Sequence, residues 1–269
     1  MNYVELKQLK HSIKIGDVCG DIEPNVTEDT IFLSDDKIVG FYIKEMTGRV
    51  KQLADVANAE FLSDRVPKSF MDRKKPMGQD ENGKNKYQII RQYSTILGSI
   101  APKPHMKRVY PAISSVHQVK SAQTFVKAML LLCKESEKLM LEIAPELYET
   151  QKRIITEQVP PEFRFGELFT SSISNFNISA PFHRDAANLE GCVNVIIAKK
   201  KNARGGNTTV PDYGATVDSR DNSMLVYPAW RNVHGVTPIH PIVEGGYRNS
   251  LVFYPLKAFA NHWKPEEKK

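Results

Sequence analysis

Residues 168–188, "LFTSSISNFNISAPFHRDAAN", join a β-rich run to a polar edge that carries His183 and Asp185 two positions apart. Alternate residues of an extended chain project to the same side, so this spacing can aim an imidazole and a carboxylate at one point. An H-x-D triplet alone equally suits an exposed charge pair. Its meaning depends on what surrounds it.

Downstream the texture is one of short β-rich runs separated by Gly, Asn, Asp and Pro. Strands are expected at 168–176, 191–199 ("GCVNVIIAK"), 206–210, 223–228 ("SMLVYP"), 233–237 and 247–254 ("YRNSLVFY"). Upstream, 121–143 has Phe125, Met129, Leu132, Leu139 and Ile143 at helical spacing, with Lys127, Lys134, Glu135, Ser136 and Lys138 on the other side. That predicts an amphipathic helix opening at Ser121, and Pro145 starts a second, "PELYETQKRIITEQ". Residues 30–45, "TIFLSDDKIVGFYIKE", read as a β-hairpin. Helices followed by many short strands predict an α+β fold, a jelly roll backed by helices with an N-terminal α/β extension. The division expected is 1–120 for the extension and 121–269 for helices plus jelly roll, in one compact unit.

Length and composition bound the rest. A chain of 269 residues, 41% hydrophobic, can bury a substantial core, and nowhere holds the ~18–20 apolar residues that span a bilayer. Three widely spaced cysteines and a charged N-terminus without the apolar stretch of a secretory signal predict an intracellular protein without a disulfide framework. The net charge of +6 is uneven: 66–108 holds ten Lys/Arg against three Asp/Glu. With its prolines this segment is expected to be mostly loop, with one short strand or helix near 87–98. It suits either a solvated loop or a track for a phosphate backbone, with Lys74, Lys75, Lys84 and Lys86 as grips and Tyr87 and Tyr93 as stacking platforms.

His234 follows Asp185 by 49 residues in "YPAWRNVHGVTPI" (227–239), and Arg248 follows it by 14 in "YRNSLVFY". Two histidines and a carboxylate can occupy one face of an octahedron around Fe(II) and leave the other positions open. Arg248 would then fork onto a carboxylate of a bound diacid, with Ser250 adding a hydroxyl from the same strand. H-x-D after one strand, His after a second and Arg-x-Ser within a third form an ordered set. In that order, and in the Gly205-Gly206 turn and "NTTVPDYG", the β half resembles the Fe(II)/2-oxoglutarate-dependent dioxygenases. The resemblance implies a double-stranded β-helix core, His183, Asp185 and His234 as metal ligands and catalytic centre, and 2-oxoglutarate as cosubstrate on Arg248 and Ser250.

Within that superfamily "HRDAANLEGC" (183–192) is similar to the H-[RK]-D-x-x-N segment of the TET/JBP branch, which oxidises the methyl group of 5-methylcytosine or thymine in nucleic acid. The resemblance covers roughly 165–256. It implies a nucleic-acid partner, DNA foremost, with Asn188 bonding an extruded base and Tyr254 stacking on it. From the residues alone, Asn188 equally suits a turn and Tyr254 a core. Two features depart from TET enzymes: Leu256 stands where they carry a base-contacting histidine, and no cysteine-rich segment is present. Two other functions stay open: the same chemistry on a peptide, amino acid or small metabolite, and a nucleic-acid-binding module with a vestigial metal site.

Overall fold

A computed structural model describes residues 1–102 and 110–262. Its main feature is a ten-stranded sheet. From one edge to the other run Asn2–Glu5, Thr30–Ser34, Lys37–Ile43, Met224–Tyr227, Asn194–Lys201, Tyr247–Tyr254, Ser171–Phe176, Tyr93–Ile100 and Ser69–Phe70, with Ala112–Ile113 also paired to Tyr93–Ile100. All these pairs are antiparallel except the first. A four-stranded antiparallel sheet, in the order Ala180–His183, His234–Val236, Thr208–Val210 and Ala215–Val217, supplies the second sheet of the jelly roll. The expected α+β class with a double-stranded β-helix core is what the chain forms.

Strand period two decides the faces of the large sheet. Val195, Ile197, Leu251 and Phe253 point to one side and join the principal core with the helices. Their neighbours Ile196, Arg248, Ser250, Val252 and Tyr254 point to the other side and line a cavity. That core side is closed by α1 (Gly48–Leu62), α2 (Gln123–Ile143) and α3 (Pro145–Gln158). α2 begins two residues later than expected because Ser121 spends its hydroxyl on the Arg65 carbonyl, 2.7 Å away. Ser136, expected on the polar face, is fully buried and bonds back to the Leu132 carbonyl. α1 was not expected, although Val50, Leu53, Ala54, Ala57, Asn58 and Phe61 are its buried residues, at helical spacing. Three of those six are Ala or Asn, which blunts a pattern read from large apolar residues.

The hairpin at 30–45 forms as expected. Gly40 on it has a packing reason: a Cβ there would lie 2.3 Å from the Val226 carbonyl oxygen of the neighbouring strand. The loop expected at 66–108 is largely β instead. Arg73–Gln79 pairs with Asn85–Ile90 as a separate two-stranded ribbon, and Tyr93–Ile100 is a full strand of the large sheet. Between the ribbon strands, the Asp80 carboxylate accepts from the Asn82 and Lys84 amides, and Gly83 takes a positive φ of 74°. This is hairpin chemistry that the charge density of the segment obscured. Pro76 is tolerated because the ribbon has only two strands, so one side of each lacks a ladder. Residues 103–108 of the basic segment lie outside the described residues.

Candidate active site

His183 closes Ala180–His183, and His234 opens His234–Val236. The two are direct cross-strand partners, which brings their ring centroids to 4.3 Å. The chain leaves the sheet after His183, and Asp185 is turned back toward both rings. Its Oδ1 lies 3.4 Å from His183 Nε2 and 3.9 Å from His234 Nε2, and one ligand atom from each residue falls within 4.8 Å of the others. Among the described residues this is the one such group of His, Cys, Asp or Glu side chains.

Each of the three is oriented by a second bond. His183 Nδ1 donates to the Pro181 carbonyl at 2.8 Å, and His234 Nδ1 to the Asn232 carbonyl at 3.1 Å. A carbonyl only accepts, so both Nδ1 atoms carry the proton and both Nε2 lone pairs face the centre. Asp185 Oδ2 accepts from Asn194 Nδ2 at 2.9 Å, leaving Oδ1 toward the histidines. The electrostatics match. Hydrogen bonding to Asp185 raises the His183 pKa, whereas burial and the neighbouring His183 lower that of His234. Burial would raise the Asp185 carboxyl, but bonding to His183 and the charges of both rings hold it below the usual carboxylate range. A divalent cation seated here would take the place of the proton that His183 otherwise attracts.

The triad opens into a cavity of about 620 Å³. Its far wall includes Arg248, Ser250, Val252 and Tyr254, with Asn175 and Ile173 from the adjacent strand. Arg248 is 3% exposed and makes no ion pair among the described residues. One of its terminal nitrogens donates to Ser219 Oγ at 3.1 Å, and its Nε is buried without a partner. Burial alone pulls its pKa down to about 10. A buried, still charged guanidinium with a free donor fits an anion arriving in the cavity. The stem of Arg248 passes Gly206, where a Cβ would sit 3.0 Å from Arg248 Cγ on a backbone with φ of 71°. That is a reason for the second glycine of the turn. Ser250 is buried next to it, with its Oγ accepting weakly from Asn175 Nδ2 at 3.4 Å.

The expected substrate residues separate into two groups. Asn188, Tyr254 and Leu256 all line the cavity. The Asn188 amide nitrogen is committed to Asn194 Oδ1 at 2.8 Å, so Asn188, Asn194 and Asp185 form one relay from the cavity wall to the His183, Asp185 and His234 group. The backbone N–H of Asn188 also closes a turn onto the Asp185 carbonyl. Tyr254 forms part of the boundary with a neighbouring groove of about 560 Å³, and burial raises its pKa to about 12. Lys74 is not in the cavity: it lies on the ribbon, 6.0 Å from the centroid of the half-exposed Tyr87 ring. Lys75 shares that strand, but its side chain lies outside the described residues. Tyr93 is not available for stacking on a ligand; it is 7% exposed and already stacked on Phe176 at 4.5 Å.

Residues that sequence reasoning did not single out complete the site: Asn194, Asn232, Ser219 and Tyr227. The Tyr227 ring is buried edge-on against His234 at 5.3 Å. Only Asn232, two residues before His234, carried a local hint of a supporting role.

Residues 103–257 match the family model Tet_JBP, the oxygenase domain of the 2OGFeDO superfamily. No curated protein matches the chain. Among solved structures, NgTET1 in complex with 5mC DNA aligns over 96% of this chain and 83% of its own, at 12% identity and a TM-score of 0.57. At that identity the likeness is one of fold. A 2OG-Fe(II) oxygenase family oxidoreductase from Burkholderia pseudomallei (15% identity, 75% and 78% covered) and OsALKBH1 (14%, 79% and 96%) align at TM-scores of 0.40 and 0.39. With more than half of its length matched to that model, and two histidines, a carboxylate and an unpaired arginine gathered in one cavity, the chain belongs to the Tet_JBP oxygenase family of the Fe(II)/2-oxoglutarate superfamily.

Proposed function

We propose that this oxygenase hydroxylates a methyl group of a nucleobase, 5-methylcytosine or thymine, in nucleic acid. His183, Asp185 and His234 hold Fe(II), which supplies the activation of O2 when bound. These three side chains would hold the ion, and the cavity they open into would admit cosubstrate and oxygen. Arg248, assisted by Ser250, would hold one carboxylate of 2-oxoglutarate and so orient the diacid toward the triad. In the overall reaction 2-oxoglutarate and O2 would give succinate and CO2, one oxygen atom entering succinate and the other the substrate C–H bond as hydroxyl.

The observation that carries the cosubstrate assignment is the buried Arg248 guanidinium with no acid partner. The nucleobase assignment is supported by the family and by a fold shared along nearly the whole chain with a protein solved on 5mC DNA. A base within a duplex cannot reach a triad at the end of a cavity, so it must be extruded and held there. The Tyr254 ring offers the stacking surface and Asn188 a polar edge, while Leu256, Ile173 and Val252 leave an apolar wall. The basic ribbon, with Lys74, Lys84 and Lys86, supplies cations that would grip phosphates.

A second reading has two specific observations in its favour. Leu256 replaces a base-contacting histidine, and the Asn188 amide nitrogen is already bonded. That wall also suits an apolar group of a peptide or small metabolite. The deciding experiment is succinate formation with and without methylated DNA or RNA, followed by mass spectrometry of the digested nucleosides. Oxidised nucleoside with coupled succinate supports the proposal. Succinate without nucleic-acid affinity or oxidised nucleoside favours the second reading.

A further inference from the structure

The N-terminal residues 9–19 carry none of the triad yet hold both strands that do. Gly16 N–H donates to the Phe182 carbonyl at 2.8 Å, and Phe182 N–H returns a bond to the Asp17 carbonyl at 2.9 Å. Phe182 immediately precedes His183. Cys19 packs with Ile13, Phe182 and Val233, the last of which immediately precedes His234. The fit is close: a Cβ on Gly235 would lie 3.0 Å from the Cys19 Cβ.

Farther along the same segment, Leu9 N–H donates to the Asp212 carbonyl at 2.7 Å, and His11 Nε2 lies 2.7 Å from Asp212 Oδ1. Asp212 is 6% exposed. Its other oxygen accepts from Asn232 Nδ2 at 2.8 Å and more weakly from Val233 N–H at 3.4 Å. Asn232 is the residue whose carbonyl takes the Nδ1 proton of His234. Hydrogen bonds therefore link His11 to Asp212 and Asp212 to the Asn232 side chain, and the backbone carbonyl of the same Asn232 holds His234. Burial would raise the Asp212 carboxyl, but bonds from Asn232 and His11 hold it below the usual range, so it remains an acceptor on both sides.

We propose that residues 9–19 are a brace of the metal centre, and that Asp212 is the positioning residue through which the brace sets the orientation of His234. This rests on the reading of His183, Asp185 and His234 as metal ligands. Partners bonded directly to a ligand set its tautomer and ring angle, and losing one weakens metal binding about 10–100-fold; Asp212 acts one bond farther out, on the two residues that precede His234, so its loss should cost less.

The test is titration of the full-length protein with Co(II), followed by calorimetry and by the visible spectrum of the bound ion. Asp212→Ala is expected to weaken Co(II) binding by several-fold and to change the spectrum. Asp212→Asn keeps an oxygen for Asn232 and should restore most of the affinity, while His11→Ala should lose less than Asp212→Ala. Asn232→Ala should equal Asp212→Ala, and the double variant should be no weaker, because both cut the same link. Asp55→Ala is the control for general destabilisation: that carboxylate holds the buried Lys199 at 2.6 Å, toward the opposite end of its strand from Asn194 and on a strand that carries none of the triad. It should unfold more readily and bind Co(II) as wild type does. Wild-type affinity and spectrum in Asp212→Ala, or an equal loss in Asp55→Ala, would overturn the brace. Wild-type protein that takes up no Co(II) would instead overturn the ligand assignment, and the brace with it.

Discussion

At the scale of single residues, the site depends on bonds that hold side chains still. Arg248 has a planar fork and one free buried donor, so Arg248→Lys keeps charge but loses the fork. The KM for 2-oxoglutarate is expected to rise more than tenfold, about 1.4 kcal/mol, in a succinate assay; an unchanged KM would show that another cation holds the diacid. Asn188 and Asn194 lie on one relay but should behave differently. Asn194 bonds Asp185, a ligand in the proposed metal site, directly, so Asn194→Ala should weaken Co(II) binding about tenfold or more. Asn188 is one bond farther away and faces the cavity, so Asn188→Ala should retain most of the metal affinity and lose turnover of the methylated base. Equal metal loss in both variants would reduce Asn188 to a support for the triad.

At the scale of elements, α2 and the basic ribbon each carry a measurable consequence. Glu137 on α2 is 5% exposed and accepts from the Glu167 and Leu168 amides at 2.7 and 2.9 Å. Burial outweighs those bonds and raises its pKa from 4.5 to about 6. Between those values the folded protein keeps a proton that the unfolded chain has released. This group's contribution to stability is therefore full below pH 4.5 and falls as pH rises toward 6, by roughly 2 kcal/mol. Urea unfolding of wild type and Glu137→Gln across that window checks it: the variant should lack that part of the slope. For the ribbon, neutralising Lys74, Lys84 and Lys86 should weaken nucleic-acid binding alike for all sequences and flatten its dependence on salt. A sequence-dependent loss would place these lysines at the bases instead.

At the scale of the whole molecule, metal binding should be felt as stability, because the ligands come from two strands and a turn that unfolding disperses. Co(II) at a hundredfold excess over its Kd should add about 2.7 kcal/mol, a Tm shift of several degrees, in wild type and little in His183→Ala. The same dispersal explains what could be read from the sequence. The groups H-x-D, His and Arg-x-Ser were legible because each is a local residue pattern on strands of period two, whereas their meeting in one cavity was decided by the fold. The α+β class and the jelly roll were legible because apolar spacing changes from helical to alternating near residue 160. α1 hid behind alanines, and the ribbon behind its charges, although the Asn82-Gly83 turn was present in the sequence. Residue types and local spacing thus determined the chemistry this chain can carry and the faces its strands present. Only the tertiary structure decided which polar groups hold the ligands. Asn194 reaches Asp185 across a strand junction, Asp212 reaches Asn232 between loops, and residues 9–19 meet Phe182 some 170 positions away. Hydrogen bonds between residues so far apart leave no periodic trace in a sequence, because only chain packing sets their distances.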